Sequence, residues 1–207
     1  MSRMARSAFM YDGCYAHVIS RSIRKQAIFN DTEDYQVFLD MLVQSKKEAQ
    51  YRIFHYCLMS THFHLAVKVA NLTNFSKALQ RLKSCYTYKY HAKYRLSGPI
   101  WRERFRSLLI ENEPYMYACG RYIEHNPVEA GLVTRALDWP FSSCQYYENK
   151  KADGITDGYP NDTLKNVPKH IDINDRSLFE RGAVIGSNCF KFQLKETMKK
   201  AAGGHIG

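Results

Sequence analysis

His62 and His64 stand one residue apart in Tyr56-Cys57-Leu58-Met59-Ser60-Thr61-His62-Phe63-His64-Leu65-Ala66-Val67-Lys68. The stretch reads as a strand, a tight turn and a second strand. Alternate side chains of a strand share a face, so both imidazoles point one way and Phe63 the other. Two neutral imidazoles side by side make half of a divalent metal site. Alone, such a triplet is more often an accident of surface or core. A second element about sixty residues downstream strengthens the functional reading.

That element is Arg121-Tyr122-Ile123-Glu124-His125-Asn126-Pro127. Pro127 disfavours helical geometry at the residue before it. Pro114 suits a first turn, with Asn112 or Glu113 just before it. The pattern predicts a helix over roughly 114–125. Tyr115, Cys119, Tyr122 and Asn126 recur at helical spacing and form one stripe. Two readings stay open for it. One is a core stripe with a half-buried tyrosine. The other is a tyrosine nucleophile with a polar metal ligand one turn away.

Positioning these groups needs a sheet. Residues 16–21 look like a first strand, and Asp31 or Thr32 can cap a helix through about Ala49. Arg52 to Met59 and Phe63 to Val69 form the hairpin that carries the histidines. Thr73 or Asn74 caps a second helix, to about His91, and Phe105 to Ile110 is a fourth strand. The order strand, helix, strand, strand, helix, strand, then the tyrosine helix, is a split β-α-β plan. The fold class is therefore α+β: a ferredoxin-like antiparallel sheet with helices on one face, the histidine pair on a central strand. A helical and irregular extension follows. We expect a domain over residues 1–147 and an extension over 148–207, partly disordered, with an exposed loop at 149–163 and a short helix from about Phe190 to Lys200.

Composition narrows the partners. The chain has 207 residues and a formal net charge of +10. Residues 1–110 hold 18 Lys/Arg against 7 Asp/Glu, and the stretch 77–106 holds nine cations against Glu103. Such asymmetry suggests a polyanion. Tyr86, Tyr88, Tyr90 and Tyr94 interleave with Lys83, Lys89 and Lys93, and aromatics among cations can stack on unpaired bases. No apolar run approaches the roughly 20 residues that span a bilayer. Residues 1–10 lack the apolar stretch of a signal peptide. The six cysteines form no Cys-x-x-Cys pair, which fits reduced thiols in a cytosol.

Taken together, these stretches resemble the single-tyrosine HUH transposases of bacterial insertion sequences, and within them the REP-associated tyrosine transposases. The resemblance rests on Cys57-Leu58-Met59 with His62-Phe63-His64, on Gly98-Pro99-Ile100-Trp101-Arg102-Glu103-Arg104-Phe105, and most specifically on Arg121-Tyr122-Ile123-Glu124-His125-Asn126-Pro127-Val128-Glu129-Ala130-Gly131-Leu132-Val133. It covers about residues 10–147. Two departures stand out. Ser60-Thr61 replaces the family's usual Pro-Asn before the first histidine, and Ser22-Ile23 replaces glycine and asparagine after the early arginine.

The resemblance implies that His62 and His64 are metal ligands, that Tyr122 is the nucleophile and that Asn126 is the third ligand, with His125 as fallback. The implied activity is cleavage and rejoining of single-stranded DNA near REP-like hairpins, through a 5′-phosphotyrosine. A divalent ion, Mg²⁺ or Mn²⁺, would polarise the phosphate. The expected nucleic-acid contacts are Arg21, Arg81, Lys83, Lys89, Lys93, Arg102 and Arg104. His17, on the neighbouring strand, is a weak candidate for the base that deprotonates Tyr122; a core or supporting role suits it better. Relatives of this kind work as monomers or homodimers, in the cytoplasm at the nucleoid. The rival expectation is a domesticated, non-catalytic regulator that binds hairpin DNA or RNA.

Overall fold

The computed structural model describes residues 10–159, 177, 179 and 183–203. The expectations for residues 1–9, 160–163 and 204–207 lie outside the described residues. The elements are β1 (Tyr15–Arg21), α1 (Thr32–Ala49), β2 (Arg52–Met59), β3 (His62–Lys68), α2 (Leu72–Tyr94), β4 (Arg106–Ile110), α3 (Glu113–Glu129), α4 (Cys144–Glu148), β5 (Val184–Ile185) and α5 (Asn188–Gly203). The sheet runs β2-β3-β1-β4-β5. Its first four strands pair antiparallel in the ferredoxin-like order, and β5 joins β4 in parallel.

Helices α1 and α2 cover one face, where Phe38, Leu42, Phe75 and Leu79 meet Val18, Phe63, Leu65 and Val67. The third helix crosses to the other side. There Cys119, Tyr122 and Ile123 of α3 pack on Ile19, Ala66 and Leu108 of the sheet. Both faces of the central strands are apolar, so both must be covered. The side chain of Asp31 caps α1 by accepting the N–H of Asp34, and that of Asn71 caps α2 by accepting the N–H of Asn74; each such cap is worth about 1 kcal/mol.

Helix α3 runs past its expected end at His125 and holds Pro127 inside its last turn. Proline has no N–H for the carbonyl of Ile123, four residues earlier. The Asn126 amide fills that place, donating to Ile123 O at 3.3 Å and to Tyr122 O at 2.9 Å. The helix stops at Gly131, whose φ of +68° suits glycine; Gly131 N–H donates to Val128 and Leu132 N–H to Pro127.

The stretch expected as an exposed loop is exposed over 149–152, but from Ile155 as far as it is described it packs along β2 instead. Ile155 is buried, Asp157 N–H donates to Ile53 O, and Asp157 Oδ2 accepts from Ile53 N–H. Upstream, Leu58 N–H donates to Phe141 O and Ser143 N–H to Tyr56 O. The open donors and acceptors of an edge strand are the reason this chain settles there. Among the described residues no helix is long and apolar enough to cross a membrane.

Candidate active site

Strand β3 pairs His64 with Cys57 and Ile19, and His62 with Met59 and Arg21. Phe63 turns into the core beneath α1 and α2, while both imidazoles face α3, their ring centroids 5.0 Å apart. Thr61 Oγ1 lies 2.9 Å from His62 Nδ1. If His62 donates to Thr61, its Nε2 presents a lone pair. The residue that replaces the family's asparagine thus supports the first histidine.

The second histidine is oriented by a relay. His17 Nδ1 lies 2.9 Å from the carbonyl oxygen of Phe179, and His17 Nε2 lies 2.9 Å from His64 Nδ1. A carbonyl only accepts, so His17 Nδ1 carries a hydrogen. In a neutral imidazole Nε2 must then accept, and His64 Nδ1 donates to it. His64 is left with its lone pair on Nε2, the nitrogen a metal would take. Sequence suggested His17 as a base or a support; its ring is stacked on His64 at 5.1 Å and engaged at both nitrogens.

From α3, the Tyr122 ring meets both histidines edge-on, 6.2 Å from His64 and 6.2 Å from His17 between centroids. Asn126 follows one turn on, also buried. Its Nδ2 is committed to Tyr122 and Ile123, so Oδ1 is the end that can serve a cation. Two imidazole nitrogens and one amide oxygen fit Mn²⁺ or Mg²⁺ and include no thiolate that would favour zinc. Tyr115 shares the stripe but sits two turns away, about 10 Å along the axis, where burial and the nearby Glu111 raise its pKa. His125, the fallback ligand, is half-buried on the same turn.

Phe179 is the site residue that sequence analysis missed. Its ring stacks on Tyr122 at 4.7 Å with 14° between planes, and Tyr122 is wholly buried. No local pattern marks a contact that spans 162 residues in the His17–Phe179 hydrogen bond.

The cations divide into two groups. Arg21 ends β1 opposite His62, and the Arg102 N–H donates to the Arg21 carbonyl, so these two adjoin the histidine pair. Arg104 and Lys89 are exposed, and Arg81 is exposed beside Glu48 at 3.3 Å. Two others are engaged within the fold. Lys83 is buried, donates to Glu103 O at 2.7 Å and lies over the Trp101 ring. Lys93 contacts Asp31, Glu33 and Asp34 at 2.8, 2.8 and 2.9 Å. Of the four interleaved tyrosines, Tyr86 and Tyr90 are core, Tyr94 is half-buried and donates to Asp34, and Tyr88 is exposed.

Comparison with known proteins bears on the fold and the family. A structure described as a REP-associated tyrosine transposase bound to a REP hairpin superposes with a TM-score of 0.59 at 23% identity, covering 77% of this chain and 89% of that one. A Deinococcus radiodurans R1 protein provisionally named a transposase gives a TM-score of 0.39 at 17% identity, over 60% of this chain and 97% of its own. No curated protein matches. The family model "Transposase IS200 like" matches residues 10–126, more than half of the chain, and the chain therefore belongs to the IS200-like transposase family.

Proposed function

We propose that this protein cuts and rejoins single-stranded DNA beside hairpin sequences, with Tyr122 as nucleophile. The carrying observation is the buried meeting of Tyr122 with His64 and His17, with Asn126 one turn further along the same helix. Tyr122 Oη attacks the scissile phosphorus, the bond to the 3′ oxygen breaks, and the strand is held as a 5′-phosphotyrosine with a free 3′-hydroxyl. Rejoining reverses the step without ATP, because the bond energy is stored covalently. His62, His64 and Asn126 would hold Mn²⁺ or Mg²⁺, which when bound offsets the charge that develops on the phosphate. Arg21 and Arg102 would hold the strand beside it. The protein would act as a monomer or as a homodimer. The cutting unit is read as residues 1–147, with 148–207 as an extension. Work on chromosomal DNA would place it at the nucleoid.

The test is a hairpin flanked by single strands, incubated with protein and either metal. A denaturation-resistant protein–DNA band should form. Tyr122→Phe should abolish it while keeping hairpin affinity. A band that persists in Tyr122→Phe and vanishes in Tyr115→Phe would refute the assignment.

One observation favours a second reading, a non-catalytic hairpin binder: Phe179 covers the buried Tyr122 ring. Failure of the wild type to form the band with any strand and either metal would support it. Competition between ribo- and deoxy-oligonucleotides then tells which nucleic acid it binds.

A further inference from the structure

Helix α3 is seated on the sheet by a contact that involves neither histidine of the metal pair. Strand β2 carries a bulge: Ile53 pairs with Val67 and His55 with Ala66, leaving Phe54 as an extra residue. A bulge puts neighbouring side chains on one face, so His55 joins Phe54 beneath α3. Gly120 is the helix residue above it. A Cβ built on Gly120 would lie 2.1–2.3 Å from atoms of the His55 ring, so only glycine lets the helix come this close.

One turn on, Glu124 Oε1 is 2.8 Å from His55 Nδ1 and accepts from Ser143 Oγ at 2.8 Å. Its other oxygen lies 3.4 Å from Arg121. Behind the imidazole, Tyr159 Oη is 2.9 Å from His55 Nε2, and the Tyr147 ring stacks at 4.6 Å. A carboxylate only accepts, so His55 Nδ1 carries hydrogen; in a neutral imidazole Tyr159 then donates to Nε2. Ser143 and His55 both bond to the same carboxylate oxygen and not to each other, so no serine–base pair is built. His55 and Glu124 are almost wholly buried. Such a pair is directional and costly to break, because breaking it strands a buried charge. Gly120 and Glu124 flank Tyr122 along the helix.

We propose that the His55–Glu124 pair, with Gly120 as its bearing surface, is the positioning device that sets the height and rotation of α3 and so aims Tyr122 and Asn126 at His62 and His64. The inference rests on the reading of Tyr122 as nucleophile. Gly120→Ala drives a Cβ into the ring and must lift the helix. A misplacement of about 1 Å can cost about 100-fold in rate, and that loss is expected with hairpin affinity unchanged. His55→Ala in the Gly120→Ala background gives the Cβ room and should recover part of the rate. Glu124→Gln keeps the volume but removes the charge, and should show a smaller loss. Loss of cleavage only in proportion to hairpin affinity, or no loss in folded variants, would overturn the proposal.

Crystal structures of the variants give a readout independent of activity. The Tyr122–His64 centroid distance of 6.2 Å should change in Gly120→Ala and in Glu124→Gln. An unmoved ring overturns the positioning role even if the wild type cuts DNA. A moved ring beside an inactive wild type supports the positioning role and sinks the nucleophile reading. Should Gly120→Ala fail to fold, Glu124→Gln carries both readouts.

Discussion

Asn126 is tied to Tyr122 by its own side chain: the amide Nδ2 donates to the Tyr122 carbonyl at 2.9 Å, and also to Ile123 at 3.3 Å. The second bond replaces the N–H that Pro127 lacks. One residue thus continues the helix through a proline and leaves its Oδ1 as the end that could serve a cation.

These two roles separate by substitution. An ionised Asp at 126 cannot donate, so Asn126→Asp and Asn126→Ala should each cost about 1–3 kcal/mol, the usual penalty of a buried group left unpaired. At about 2–4 °C per kcal/mol for a chain of this size, the melting temperature should fall measurably in both. Mn²⁺ affinity, read by calorimetry, should survive in Asn126→Asp, which keeps an oxygen donor, and fall in Asn126→Ala. Equal affinity in Asn126→Ala and wild type would remove Asn126 from the ligand set.

His17 should matter to the metal without touching it. Removing the partner that fixes a ligand's tautomer typically costs about 10–100-fold in affinity. His17→Ala is therefore expected to weaken Mn²⁺ binding in that range, while His62→Ala with His64→Ala abolishes it. Intact circular dichroism in both variants separates loss of the relay from loss of the fold. Undiminished binding in His17→Ala would mean that His64 keeps its tautomer unaided.

The histidine pair and the tyrosine stripe were legible because each follows the period of its own element. His62 and His64 obey the two-residue period of β3, and Tyr115, Cys119, Tyr122 and Asn126 obey the helical period of α3. Pro127 misled about the helix end because its remedy is a side-chain bond from Asn126. His55 could not be assigned to the α3 face from sequence, since a bulge at Phe54 shifts the alternation and leaves no local mark. Lys93 read as a surface cation because its carboxylates at 31, 33 and 34 lie some sixty residues away. Phe179 sits in a stretch with no periodicity at all. Long-range contacts of this kind are set by packing, which a linear pattern does not encode.

The division of cations predicts a division in salt response. Each phosphate neutralised on a single strand contributes about −0.7 to the log–log slope of affinity against salt. Arg21→Ala and Arg102→Ala, beside the histidines, should each flatten the slope by about that amount. Lys93→Ala should leave the slope unchanged and lower the melting temperature, because its ammonium serves Asp31, Glu33 and Asp34. A flattened slope in Lys93→Ala would show that DNA displaces those carboxylates.

Phe179 offers the sharpest separation of access from chemistry. Its ring lies flat on Tyr122 at 4.7 Å, while its backbone carbonyl holds His17 at 2.9 Å. Phe179→Ala removes the ring and keeps the carbonyl. Truncating a fully buried phenylalanine costs about 3–5 kcal/mol, so the melting temperature should drop. The relay through His17 to His64 should persist, and Mn²⁺ affinity should stay near wild type. If the ring is what keeps strands from the tyrosine, initial cleavage of a hairpin-flanked strand should rise, with hairpin affinity unchanged. Phe179→Leu, which refills most of the volume, should fall between wild type and Phe179→Ala. A cleavage rate that does not change, in a variant that is folded and binds metal, would mean that the Phe179 ring does not limit access to Tyr122.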